Sequence, residues 1–227
     1  MASPAQLLAS HGCILVLDAA STTVQTGLLR TGKPTIWRAA TGEAGQLLFT
    51  GADECLRQAG LTLDEVPAFL FCEGPGSMLG VRTVAMALRT WLTVRPRPAY
   101  RYQSLTLLAH GLVRLGSAGP FSVIADARRD TWHCVGVDDH GAVQPLRRAA
   151  AAELAGRNEP LRIPSSFRAW APPPRPGLDC PYDAAVLLAA LADHDLFIAT
   201  EAPDSFQHEA PVYKKWTAEI HRAAPAK

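Results

Sequence analysis

The nine residues Gly74-Pro75-Gly76-Ser77-Met78-Leu79-Gly80-Val81-Arg82 are the stretch whose types and spacing could do chemistry. Gly74 and Gly76 can take positive φ and admit a ligand or another backbone closely, and Ser77 stands where it would cap a helix. Behind such a turn, a helix N-terminus offers its amides to an anion or to an opposing carbonyl. Two familiar uses fail on spacing. A Walker loop ends in Gly-Lys-Ser/Thr, and no lysine lies here; a nucleophile elbow is Gly-x-Ser-x-Gly, and Ser77 directly follows Gly76. A tight turn that only packs a helix on a sheet stays open as the plain alternative. Asp18 and Asp126 each close an apolar run and are followed by alanine, where a carboxylate can accept backbone amides at a strand end.

Other chemistries are absent from the pattern. No two of the seven histidines lie three to five residues apart, so no helical His-x-x-x-His pair exists for a metal. The five cysteines are scattered without a Cys-x-x-Cys pair and read as reduced, buried thiols of a cytoplasmic protein. No Ser-His-Asp or Cys-His spacing is recognisable. A net charge of +1 gives no broad electrostatic handle for nucleic acid, and no apolar run approaches membrane-spanning length.

The elements that must position these residues follow from periodicity. After a leader expected to fray, residues 13–17 form a buried strand ending in Asp18; Val24, Thr26 and Leu28 alternate in a second strand, and residues 35–38 make a third. Residues 43–59 are predicted helical, with Gly60 as the stop and Gly45 and Gly51 inside at about 1 kcal/mol each relative to alanine. Residues 68–72 deliver the glycine turn, and Val84, Leu88, Trp91 and Leu92 recur behind it at helical spacing. Residues 95–98, Arg-Pro-Arg-Pro, read as a hinge dividing an N-terminal unit, 1–98, from a C-terminal one, 99–227. The second unit opens with a strand at 99–103 and a helix capped by Ser104, then repeats the first plan: strand 121–126 ending in Asp126, turn, strand 131–137, a hairpin at 138–141, and a returning strand at 142–146. Residues 158–181, rich in proline, are expected to be a loop without chemistry, followed by a helix at 182–193 and a short strand at 197–199.

Seven of the nine turn residues agree with Gly-Pro-Gly-Ser-Phe-Thr-Gly-Val-Arg, the signature of the TsaB (YeaZ) family, which the chain therefore resembles; Met78 and Leu79 depart from it. Asp126-Ala127-Arg128 is similar to a second family motif, although Thr131 and His133 replace its usual Glu and Tyr. The tail at 210–216 resembles the family's Pro-x-Tyr ending, with lysines in place of Leu and Arg. The resemblance implies an α/β actin-like ATPase (ribonuclease H-like) fold, in which duplicated mixed β-sheet units are flanked by helices. It implies a non-catalytic subunit of threonylcarbamoyladenosine (t6A) synthesis that binds the transferase TsaD, with TsaE as a further partner, a homodimer when alone, and tRNA met only through the complex. TsaD carries a metal held by paired histidines, which this sequence lacks, and protease activity is not expected. The helices at 43–59 and 81–91 would form the docking face, with Gly51, Arg82, Ala85, Met86 and Arg89 expected opposite the core stripes. The superfamily alternative is a nucleotide-hydrolysing enzyme that holds ATP or ADP with Mg²⁺ between the halves through Asp18, Gly74, Gly76, Ser77, Gly80 and Asp126. Neither aspartate turn contains a glycine, which weakens that alternative.

Overall fold

A computed structural model describes residues 1–208, so the tail motif at 210–216 lies outside the described residues. Two mixed sheets are built on one plan. In the first, β1 (Cys13–Asp18) is the central strand; β2 (Thr23–Arg30) and β3 (Ile36–Thr41) run antiparallel on one side of it, and β4 (Phe69–Gly74) and β5 (Ala99–Gln103) run parallel on the other. The second sheet repeats that order. Here β6 (Phe121–Asp126) is central, β7 (Thr131–Val137) and β8 (Arg147–Ala150) lie antiparallel on one side, and β9 (Leu161–Pro164) and β10 (Leu178–Cys180) lie parallel on the other. A last strand, β11 (Ile198–Thr200), returns to pair antiparallel with β5 at the edge of the first sheet.

Several elements differ from the sequence reading. The leader does not fray. Ser3-Pro4-Ala5-Gln6 forms a reciprocal capping box that opens helix α1 (Pro4–His11), and Ala2 bridges to Phe197. The strand at 99–103, assigned to the second unit, belongs to the first sheet through its parallel pairing with β4, so that sheet extends past the hinge at 95–98. Ser104 is the first residue of its helix rather than the cap, and its buried hydroxyl donates to the Pro75 carbonyl at 2.5 Å. Residues 142–146 contribute only a bridge, Val143 to Val137, because the Asp138–Gly141 turn is followed by irregular chain; the regular pairing begins at Arg147.

Helix α4 (Ser104–Arg114) lies between the two sheets, and Leu105, Leu107 and Leu108 join Val16 and Leu70 of one sheet to Val123 and Val135 of the other in a shared core. The outer face of the first sheet is covered by α2 (Ala44–Ala59) and α3 (Met78–Val94), which bury Leu48, Cys55, Val84 and Leu88 against Leu15, Leu17 and Phe71. With α4 and Tyr182 on the other side, β2 is buried along nearly its whole length instead of alternating. The outer face of the second sheet has a much thinner cover. Its core comprises Ile124, Trp132, Cys134, Ala149, Leu154 and Leu161 under the five-residue helix α5 (Ala151–Ala155). Where α3 links β4 to β5 in the first unit, residues 165–177 link β9 to β10 without a helix.

Candidate functional site

The glycine turn is pressed onto the turn that follows β1. A Cβ on Gly76 would stand 2.1 Å from the Ala20 carbonyl oxygen, and one on Gly80 would stand 2.0 Å from that of Ala19. Ser77 caps α3 as expected, its Oγ accepting from the Gly80 amide at 3.3 Å, while the Ser77 amide donates to the Ala20 carbonyl at 2.6 Å. Of the amides that could meet a phosphate, that of Ser77 thus meets an opposing carbonyl and that of Gly80 meets the cap. Glycine is required at both positions so that helix and turn can touch.

Asp18 is fully buried. One carboxylate oxygen accepts from the Ala20 amide at 2.9 Å; the other accepts from the hydroxyls of Tyr102 at 2.7 Å and Tyr182 at 2.6 Å. Burial pushes the carboxyl above its ordinary range, and these three hydrogen bonds pull in the opposite direction. Burial, and then the Asp18 charge, raise both tyrosines well above theirs. Tyr182 comes from the chain just after β10, and Gln25 of β2 reinforces the junction: its amide donates to the Tyr182 carbonyl and accepts from the Ala184 amide. The first aspartate therefore ties the first sheet to the second unit.

Asp126, at the matching position in the second unit, is likewise engaged. It accepts from the amides of Arg128 at 2.5 Å, Trp170 at 2.6 Å and Ala171 at 3.0 Å. Trp170 and Ala171 lie in the proline-rich segment, to which the sequence assigned no role. Its Ser166 carbonyl also accepts from the amide and hydroxyl of Thr22, on the turn after β1. Residues 166–171 thus cross the space between the two strand-end turns. Arg128, Arg129 and Asp130 follow Asp126 with φ of 64°, 52° and 56°, three left-handed non-glycine residues in a row, at about 1–2 kcal/mol each. A cavity of about 330 Å³ opens beside them, bounded across by Trp170, Ala171 and Pro172.

Neither carboxylate has the free, converging oxygens that Mg²⁺ bound to a nucleotide would need, so the donor set does not fit that group. Among the described residues no group of three or more His, Cys, Asp or Glu is placed to hold a metal, and no helix is long and apolar enough to cross a membrane.

The expected docking residues separate into two sets. Arg82 and Met86 are exposed on α3, Met86 to 58%, in a stripe with Leu79 at 71%. Arg89 is also exposed, but its guanidinium already pairs with Asp204 and the Pro203 carbonyl, at 2.8 and 2.6 Å. Gly51 and Ala85 are buried, contrary to expectation. Gly51 brings α2 onto β2, where a Cβ would meet the Thr26 hydroxyl at 2.4 Å. The spacing held that signal: Gly51 shares a helical stripe with Leu48, Ala52 and Cys55, as Ala85 does with Val81, Val84 and Leu88.

Two units of identical strand order, each with an aspartate at the end of its central strand, define an actin-like α/β protein. Two solved structures from Pseudomonas aeruginosa share the architecture. One, an uncharacterized protein with similarity to peptidase YEAZ, has a TM-score of 0.60 at 19% identity, over 79% of this chain and 89% of that one. The other, YeaZ, has a TM-score of 0.56 at 20% identity, over 80% and 90%. At such identities they speak to the fold alone. Residues 45–155 match the family profile described as TsaD: tRNA N6-adenosine threonylcarbamoyltransferase. With the Gly-Pro-Gly-Ser-x-x-Gly-Val-Arg signature at 74–82, that match supports the TsaB (YeaZ) family. None of the curated proteins matches the chain.

Proposed function

We propose that this chain is a non-catalytic subunit in threonylcarbamoyladenosine synthesis, docking a TsaD homologue through the outward stripe of α3 and the adjoining part of α2. The family match supports involvement in that pathway. What carries the subunit reading is the state of the two strand-end turns: both aspartates are taken up by the fold's own donors, and the chain's loop 166–171 crosses between them. A cleft so occupied leaves neither carboxylate free for a ligand. The surface, by contrast, offers a docking face. Leu79 and Met86 on α3, with Arg82 between them making no hydrogen bond or ion pair among the described residues, and Phe49 of α2 against Trp91 form an apolar and cationic face suited to a helical partner. The same face would pair two copies when TsaD is absent. TsaE is a further partner in this reading, and the assembly works in the cytoplasm.

Calorimetry of the isolated chain with ATP and Mg²⁺, and co-purification with the host's TsaD, test this reading. The expected result is no nucleotide turnover by the chain alone, with TsaD retained by the wild type and lost, by tenfold or more, from Arg82→Glu and Met86→Glu. Tight ATP binding with turnover would establish the nucleotide-hydrolysing alternative. Retention of TsaD by both variants at wild-type levels would remove the docking face from α3.

A further inference from the structure

The duplication sets two equivalent places side by side, and they are not finished alike. Over the turn after β1, Gly76 and Gly80 bring the start of α3 into backbone contact and leave no room. Over the turn after β6 there is no such helix, since residues 165–177 replace it, and the space remains as the 330 Å³ cavity. That volume is at the lower end of what small-ligand pockets offer.

From the groups around it we infer that this cavity binds a single ribonucleotide unit, presented by single-stranded RNA. Trp170 is 64% exposed, and its indole lies under the Arg128 guanidinium, 4.8 Å from ring centroid to carbon, which makes a flat cationic and aromatic platform. Arg129 and Asp130 are exposed, and neither side chain makes a hydrogen bond or ion pair among the described residues. A stacked base needs the first of these features, a phosphate needs a free guanidinium, and ribose hydroxyls need a carboxylate that can accept from them. The turn is held in its left-handed form from three sides: by the Arg128 amide on Asp126, the Thr131 hydroxyl on the Arg128 carbonyl, and the Ala151 amide on the Asp130 carbonyl. Strained backbone fixed this firmly serves to aim the side chains it carries. Asp126, engaged by three amides, shapes the site by holding the turn and the loop together. The chemistry of the pocket stands independently of the proposed function; the choice of RNA as the source of the nucleotide rests on that reading.

The test uses the full chain, a fluorescein-labelled single-stranded ten-nucleotide RNA, and anisotropy at low and moderate salt, with AMP and inorganic phosphate as separate titrants. Binding of the RNA, weakened tenfold or more by Trp170→Ala and by Arg129→Glu, is expected. Trp170→Ala keeps the backbone amide that caps Asp126, so unchanged melting would show that the variant is folded. No RNA binding, or equal binding by the variants, overturns the inference. Inorganic phosphate binding as tightly as the RNA overturns it by showing a free-anion site, and AMP binding as tightly overturns RNA as the source by showing a site for the free nucleotide. Co-purification of TsaD with Trp170→Ala at wild-type levels, beside loss with Arg82→Glu, separates failure here from failure of the docking face.

Discussion

Replacing Gly80 with alanine sets two effects of opposite sign against each other. In a helix interior, alanine is favoured over glycine by about 1 kcal/mol, and Gly80 lies in the first turn of α3 with no positive φ to preserve. Its Cβ, however, would stand 2.0 Å from the Ala19 carbonyl oxygen, about 1.4 Å short of the 3.4 Å at which ordinary contact begins. Backbone lies on both sides of that contact, so no side chain can swing clear. Either α3 lifts off the sheet, drawing Val81, Val84 and Leu88 from their buried positions, or the turn after β1 moves and strains the 2.6 Å bond from Ser77 to Ala20. Overpacking of this kind costs about 1–3 kcal/mol, toward the upper end where only backbone can yield. Net of propensity, Gly80→Ala should lose about 2 kcal/mol, which at a urea dependence of about 3 kcal/mol/M lowers the midpoint by roughly 0.7 M. Gly45→Ala is the control. There the nearest atom to the new Cβ is the Glu43 carboxylate at 3.6 Å, so the midpoint should hold or rise by up to about 1 kcal/mol in stability. If Gly80→Ala is as stable as the wild type while Gly45→Ala behaves as expected, the helix is not pressed onto the turn, and the reason given for the glycines is wrong.

Three further outcomes follow from buried or capping groups. Tyr182→Phe removes a 2.6 Å hydrogen bond to Asp18, and the sign of its pH dependence is set by the raised Asp18 carboxyl: stability from such a group is full below the ordinary value of 3.8 and is lost as pH rises through the folded one. Losing a donor raises the carboxyl further, so the variant should be destabilised more at pH 7.5 than at pH 5, by about 1.5–3 kcal/mol at the higher pH; equal losses at both would contradict the account. His133 is lowered from 6.5 to about 4 by burial and then by His208 and Arg148, with Asp126 opposing. Its contribution is present above 6.5 and should fade as pH drops toward 4, by about 3 kcal/mol in all, and a melting-temperature profile of His133→Leu that keeps the wild-type acid limb would refute that. Ser3→Ala breaks the capping box of α1 and should cost about 1 kcal/mol, with faster amide exchange confined to residues 4–8; unchanged exchange there would show that Pro4 and the Ala2–Phe197 bridge suffice.

The repeated opening of each meander was legible because strands carry their order in local signals, apolar runs, alternation and a turn at each break; β8, expected at 142–146, and β9 and β10, inside the segment expected to be a loop, were not. Ser77 as a cap and Gly60 as a left-handed stop, with φ of 70°, were legible from such local signals too. The partners of the aspartates were not. Asp18 meets Tyr102 and Tyr182 across 84 and 164 residues of chain, and Asp126 is capped by backbone amides 44 and 45 residues away, which leave no mark in side-chain type. The proline-rich segment, unremarkable as composition, acts through those amides and the Ser166 carbonyl. Gly51 and Ala85 are a different case, because their stripe was readable and a preference for small residues at helix interfaces overrode it.

The two units put the carboxylate at the end of the central strand to two different structural uses. A carboxylate at the end of a central strand is hard to leave without partners, since burial raises its cost and exposure requires a cleft. In the first unit Asp18 has been absorbed by hydroxyls that knit the halves together, which makes the aspartate a structural joint whose removal would strand two buried tyrosines. In the second, Asp126 has been absorbed by a loop that took the place of a helix, and the thinner outer layer there leaves a cavity beside it. The first solution uses the aspartate for rigidity; the second leaves exposed arginines on a strained turn with a tryptophan facing them from the loop. New binding is therefore easier to acquire over the second turn than over the first, because the first has no space that a side chain or ligand could enter without separating α3 from the sheet.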